Sequence, residues 1–492
     1  MSDSSSQLPH FHVVGFSGHR QVADPARTSQ AIREALASLR RSIPGEWIAL
    51  SSIAVGGDQL FVHEARTAGL SWHAILPLPK AEFEKDFSLD EWLAAEKLLA
   101  QAENMRVISE YGSREDGYLD CGMETVNGCD VLLAFWDGQP ARGKGGTGDV
   151  IEYAQSLGKP VLLIDASTLA VQRLNFDSTP RGDANLAALN HLPDASSWGD
   201  NPFSAPNYIF AFQQKCDHAA SHGAPQSRRL IVLTVLLHVT ATLAAAASLA
   251  FDWHLLVIPW LKLTCLIGAL VVALILRHHH EHHNWVRCRL AAEFCRSALA
   301  TWGLPRAAPL FQDLDLPGVR ALTRTLHILH SRSANTQSVS IEDFKRIYLE
   351  KRIDDQLAYY KRQEKRALPL YGRLRAGFWI ATVLAIGCTA AYAVCHSGNF
   401  SVPEWAETTL FYFLPISLPV VAAAFISFIS INDLQRRVAR YREMRAMLED
   451  SRKQTSFCQT WNSLERIVLK TERALLQEVL EWHSLTNFSE SH

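Results

Sequence analysis

Three short stretches are built to hold an anion by backbone alone: Gly15-Phe16-Ser17-Gly18-His19-Arg20, Gly56-Gly57-Asp58 and Gly145-Gly146-Thr147-Gly148. Glycine lacks a Cβ, so successive N–H groups can close on a phosphate, and a helix starting at such a turn adds partial positive charge. One glycine turn is ordinary loop punctuation; three in equivalent places of one sheet point to a phosphate or nucleotide. Arg20, Arg142 and Lys144 lie in or beside these turns and either supply counter-charge or stand as solvated surface cations. A second chemical signal is the run His278-His279-His280-Glu281-His282-His283, where His279 and His283 have the i, i+4 spacing of two metal ligands on a helix. No separate acidic or thiol partner is identifiable outside the run, so we expect no metal. A pH-sensing role and a solvated interfacial face are the alternatives.

The elements that must position these turns are readable from periodicity. Strands are expected at Phe11 to Phe16, Trp47 to Ile53, Trp72 to Pro77, Met105 to Ile108, Val131 to Trp136 and Val161 to Ile164, with helical patterns between them. Asp24-Pro25 reads as an N-cap and first-turn proline, and Ser88 with Glu91 as a capping box. Gly69 and Gly158 sit where helix C-caps are expected. This alternation predicts an α/β, Rossmann-like parallel sheet, with the glycine turns at the carboxyl ends of strands where open sheets bind ligands.

The runs VVGFSGHR, IAVGGDQLFVHEA, the LPLP at Leu76 to Pro79, and CDVLLAFWDGQPARGKGGTGDVIEYAQSLGKPVLLID resemble the SLOG superfamily, which includes LOG and DprA-like Rossmannoid domains. The resemblance covers about the first third of the chain. It implies a nucleotide or nucleotide-derived ligand held at Ser17, Gly18, His19 and Arg20, at Gly56, Gly57 and Asp58, and at Gly145, Gly146 and Thr147. Some SLOG members are hydrolases whose PGGxGTxxE motif carries a catalytic Glu three residues after Thr. Here that position is Val150 and the proline is missing. Asp149 and Glu152 are near, but one step along a helix turns a side chain by about 100°. We therefore expect a binding domain with no catalytic residue and no cofactor.

Behind this half lie four apolar windows of membrane-crossing length: Leu230 to Ala250, Leu255 to Leu276, Ala376 to Cys395 and Leu410 to Ile431. Only Lys262 is formally charged within them, and its stem can snorkel to the nearer interface. Arg228 and Arg229 precede the first window; Arg277, Arg287 and Arg289 follow the second; Lys365, Arg366, Arg373 and Arg375 precede the third; Arg436, Arg437, Arg440 and Arg442 follow the fourth. The positive-inside rule then puts all four flanks and both termini in the cytosol. Few polar side chains lie in the spans, which argues against a conventional transporter and leaves open a pore formed by oligomers. The opening MSDSSSQLPH has no apolar signal region, and the nine cysteines form no CxxC pair, as expected of reduced cytosolic thiols. A net charge of −2 gives no reason to expect a nucleic-acid partner.

The expected division is 1–165 for the nucleotide-binding domain, 166–227 for a connecting or disordered tether, 228–276 for a first hairpin, 277–375 for a cytosolic helical segment, 376–431 for a second hairpin, and 432–492 for cytosolic helices. Arg289-Leu-Ala-Ala-Glu293-Phe-Cys-Arg296 and Arg352-Ile-Asp354-Asp355-Gln356-Leu-Ala-Tyr359-Tyr360, each beside a hairpin, resemble SLATT membrane effector domains. Taken alone they read as salt-bridged surface helices. Basic helices after spans two and four hint at a duplicated hairpin-plus-helix unit. Trp461, Leu464, Val468, Leu475, Val479 and Trp482 form an apolar stripe, for packing within the chain or between copies. The two resemblances together imply a homo-oligomeric sensor-effector of the bacterial inner membrane that permeabilises the bilayer on binding a nucleotide-derived signal, in anti-phage defence. A membrane-tethered nucleotide hydrolase and a nucleotide-regulated channel or transporter are the alternatives.

Overall fold

A computed structural model describes residues 6–109, 112–178, 183–194, 199–222, 227–253, 255, 257–278, 281–306, 309–311, 316, 318–334, 339–398 and 401–488. The chain divides into two compact units, the first made of Met1–Trp198, Ala205–Lys215 and Trp302–Ser338, and the second of the rest.

In the first unit, β-branched and aromatic runs buried on both faces make strands, and amphipathic segments between them cover the sheet. The order is β1 (Phe11–Gly18), α1 (Pro25–Ser42), β2 (Glu46–Ser51), α2 (Gly57–Thr67), β3 (Ser71–Leu76), the short α3 (Lys80–Phe83), α4 (Leu89–Leu99), β4 (Asn104–Val107), α5 (Arg114–Gly128), β5 (Val131–Trp136), α6 (Thr147–Ser156), β6 (Val161–Asp165), β7 (Val171–Leu174) and α7 (Ala184–Asn190). The sheet runs β4-β3-β2-β1-β5-β6-β7, parallel except for the antiparallel pair β6 and β7. This is the expected Rossmann-like fold, and all six expected strands are present within two residues at each end. The local signals act as read: Asp24 accepts the Arg27 N–H, Ser88 and Glu91 form a complete capping box, and Gly69 and Gly158 take positive φ.

Two stretches depart from the expected division. The described part of 166–227 carries β7, α7 and the whole of α8 (Asn207–His222) rather than a tether. It is bonded to the core of its unit: Asn190 exchanges two 2.9 Å hydrogen bonds with the Leu8 backbone, and the buried Lys215 ammonium donates to the Asn190 carbonyl at 3.1 Å. The second departure follows the helices α9 (Ser227–Ala250), α10 (Val257–His278) and α11 (Glu281–Thr301). The next helix, α12 (Arg320–Ala334), lies in the expected cytosolic segment yet belongs to the first unit.

α12 sits across the amino end of the sheet. Arg332 donates to Glu46 at the start of β2, to Ser71 at the start of β3, and to Glu103 just before β4, and its guanidinium lies 4.7 Å from the Phe11 ring at the start of β1. Arg324 pairs with Asp130 just before β5 at 2.5 Å, and Ile328 is buried in the same apolar cluster as Val13, Ile48 and Leu132. Nothing local in the sequence announces this destination. Leu322, Leu326 and Ile328 read as one more amphipathic helix.

The second unit is helical. α13 (Ile341–Tyr348) runs through a π-helical stretch, Leu349–Asp354, into α14 (Asp355–Ser397); α15 (Glu404–Ala406) runs through a second, Glu407–Phe413, into α16 (Leu414–Ile431); α17 (Leu434–Phe457) and α18 (Trp461–Phe488) follow. Four helices, within Arg229–Ala250, Val257–Ile275, Ile341–Ser397 and Glu404–Phe457, are long and apolar enough to cross a membrane, and they contain the four expected windows or most of each. α9 packs on α10 and on α16, and α16 on α14.

The helices flanking the spans are tied by charge. Arg296 bridges Glu293 on α11 and Asp217 on α8 at 2.6 and 2.8 Å; Glu364 on α14 receives Arg442 and Arg445 of α17. The expected surface role fails for Arg352, which is 2% exposed and pairs with the fully buried Glu472 of α18 at 2.6 Å, alongside the Tyr348 hydroxyl. The Leu464, Val468, Leu475 and Val479 stripe is buried and α18 packs on α11 and α17, so of the two expected roles the stripe packs within the chain. The side chains of Trp482 and of His278 to His283 lie outside the described residues.

Candidate functional site

Parallel strands β1 and β5 are neighbours whose following helices leave to opposite sides, so a crevice opens beyond their carboxyl ends. A cleft of about 860 Å³ lies there, large enough for a nucleotide-sized ligand, given that such sites hold roughly 300–1,000 Å³. It brings together Ser17, Gly18, His19 and Arg20 after β1, Asp58 from α2, and Gly145, Gly146 and Thr147 at the start of α6.

Gly56 and Gly57 are not part of its wall. Gly56 has φ +92°, and a Cβ there would stand 2.1 Å from the Arg20 carbonyl oxygen. Gly57 donates to the His19 carbonyl at 3.0 Å. Their role in the structure is to let the α2 turn pass under the loop that follows β1.

The two helix N-termini at the cleft differ. The first turn of α2 already holds a carboxylate: Asp58 is buried and bonded to the backbone N–H groups of Ala54 and Gly18. Burial pushes its pKa up to about 7, against the opposing pull of those N–H groups and of Arg20. α6, by contrast, has Gly146 at its N-cap and no side-chain cap, and Thr147 and Gly148 of its first turn line the cleft. Gly145, with φ +79°, lets the loop pass within 2.4 Å of where its Cβ would meet the Leu119 nitrogen, and its own N–H is taken by Asp149 at 2.9 Å. Of the two helix starts at this cleft, that of α6 is thus the one whose N-cap supplies no side-chain partner.

The cations named from sequence are mostly spent on shaping the loop 137–146. Arg142 pairs with Asp137 at 3.3 Å, and Lys144 pairs with Asp116, whose carboxyl it pulls down to about 2 with help from Ser113. Asp137 is held below its ordinary range first by the Gln139 N–H, then by His19 at 3.0 Å and Arg142. His19 Nε2 lies 3.0 Å from both the backbone nitrogen and the carboxylate of Asp137, which fixes the imidazole between the ends of β1 and β5. Arg20 lies 5.3 Å from the Tyr118 ring, so its guanidinium rests on an aromatic wall.

Sequence reasoning missed that wall. Tyr118, Cys121 and Thr125 of α5 line the cleft, yet α5 carries no glycine turn to mark it; only their i, i+3 and i+7 spacing on one face could have flagged them. Val150 also lines the cleft, buried, at the place where LOG hydrolases keep their acid. Glu152 is not among the lining residues, and Asp149 is engaged with Gly145. Among the described residues no group of three metal-ligating side chains is found.

Comparison with known families places the second half of the chain. Residues 211–349 match the SMODS and SLOG-associating 2TM effector domain 3, and residues 348–482 match the SMODS and SLOG-associating 2TM effector domain 1. The membrane region is therefore SLATT-like, and the two matches abut, one hairpin in each. Neither match reaches the cleft, where the SLOG resemblance rests on its own motifs. No curated protein matches the chain.

Proposed function

We propose that this protein is a membrane effector whose front domain binds a phosphate-bearing, nucleotide-derived signal in the β1/β5 cleft, and that binding repacks the membrane helices so that the bilayer leaks. The observation that carries the reading is the uncapped α6 N-terminus in a nucleotide-sized cleft, on one chain with two tandem 2TM effector matches. The signal is small, since neither net charge nor a basic groove invites nucleic acid. The protein works as a homo-oligomer in the bacterial inner membrane, front domain and both termini cytosolic, and the matched families' association with SLOG and SMODS proteins supports a role in defence against phage.

The test uses full-length protein in dye-loaded liposomes, screened with cyclic nucleotides and ADP-ribose derivatives. One class is expected to bind and to release dye. Gly143→Asp is the informative variant, because Gly143 lines the cleft and a Cβ there meets nothing within 4 Å, so the carboxylate enters without a clash. It should abolish both binding and release. Binding without leakage, or leakage that ignores ligand, sinks the gated effector.

A further inference from the structure

Of the polar side chains between Leu230 and Ala250 in α9, the hydroxyls are all satisfied at home: Thr234, Thr240 and Thr242 donate to the carbonyls four residues back, and Ser248 to that of Trp253. His238 is the exception. It is exposed, and among the described residues its ring makes no hydrogen bond or ion pair. It stands near the midpoint of Ser227–Ala250, roughly 17 Å from either helix end at 1.5 Å per residue. An imidazole cannot snorkel that far, whereas Lys262, within two turns of the start of α10, can. Ionisable groups at this depth face a protein neighbour or water rather than lipid.

The rest of the face says which neighbour fits. Thr242, Ala245 and Leu249 follow His238 at i+4, i+7 and i+11, with small residues in the middle that allow a close helix approach, while Ala241 and Ala246 turn inward. A neutral imidazole carries one donor and one acceptor and so complements a second imidazole. Copies inserted in one bilayer share their orientation, and a twofold axis along the membrane normal brings residue 238 to residue 238 at equal depth. We propose that the His238 face of α9 is where a second copy of this chain docks, the two His238 rings hydrogen bonded to each other across the axis. The need to cover the ring exists without any signal, so this dimer is present in the resting protein. The inference deepens the proposed function by naming its subunit contact. It rests on the membrane-spanning reading of α9 and not on ligand gating.

The test is made on full-length protein in vesicles without nucleotide, so its outcome and that of the leakage assay are independent. His238→Cys, oxidised with copper phenanthroline, should give covalent dimer several-fold above wild type, whose nine native cysteines set the background. Leu270→Cys, on the exposed face of α10, should not. A spin label at the same His238→Cys site should show dipolar broadening between copies. A label that instead relaxes with oxygen and without broadening places residue 238 in lipid; one that relaxes with a water-soluble reagent and without broadening places it in a water path. Either result overturns the interface.

Discussion

Asp58 is the residue whose chemistry is most open to measurement. Its folded pKa of about 7 lies above the ordinary value of 3.8, because burial penalises the carboxylate. The sign follows: its contribution to stability is fully present below the ordinary value, falls as pH rises between the two, and levels off above the folded one. An anionic ligand in the cleft meets a neutral carboxyl below that pH and a like charge above it. Affinity for the signal should therefore drop as pH is raised through about 7, and Asp58→Asn should flatten the profile. Calorimetric titration a unit either side of that value decides; an unchanged slope in Asp58→Asn assigns the pH dependence elsewhere.

At this scale the sequence was legible where chemistry and backbone coincide. Ser17, Gly18, Gly145 and Gly146 could be placed because glycine turns after strands have a conformational signature. Tyr118 and Thr125 could not, since a residue on a helix face gains its role only from what the helix packs beside. His238 escaped for a different reason. Counting formal charges in the spans passes over a neutral imidazole, although its desolvation cost is what makes it informative.

Among the elements, the six strands and the four spans were readable because hydrophobic period and length are local properties. β7 was not: Val171–Leu174 is short and mostly exposed and lacks an apolar run. The π-helical turn Leu349–Asp354 was invisible too, and it holds the least expected interaction of the second unit. There Arg352 donates to both Glu472 oxygens and to Ser297, while its Nη1 is buried and has no hydrogen-bond partner among the described residues. A π-turn inserts a residue into the helix and re-aims the side chains after it, which brings this guanidinium inward. Removing one partner leaves a bare buried charge, a loss of about 3–5 kcal/mol, whereas replacing both with apolar groups is often neutral. Arg352→Met should lower the melting temperature of the detergent-solubilised protein steeply, and Arg352→Met with Glu472→Met should recover most of it. If the double variant melts no higher than the single one, the pair is not what holds α14 to α18 and the packing around it is.

For the whole molecule, the proposed function raises the question of how a ligand at one end of a sheet would reach the membrane helices. A ligand shifts an equilibrium only by the difference in its affinity for the two states, so the proposed gating requires the cleft to be mechanically tied to something that differs between them. Chain connectivity supplies a candidate. α12 is clamped to the amino ends of β1, β2 and β3 and to the residues just before β4 and β5, while it and its neighbours in sequence, α11 and α13, lie in the first 2TM match, just ahead of the start of the second at residue 348. A twist of the sheet on closing the cleft would move the stretch that leads from the first membrane hairpin to the second. Arg324→Ala with Arg332→Ala cuts the polar clamp at the end of the sheet away from the cleft, and leaves Ile328 and the apolar contact in place. We expect this variant to bind the nucleotide signal as wild type does, measured by calorimetry, and to lose most of the ligand-triggered dye release. Release that survives with wild-type ligand dependence would exclude α12 as the lever and leave the chain on the amino side of α9, through α8, as the route.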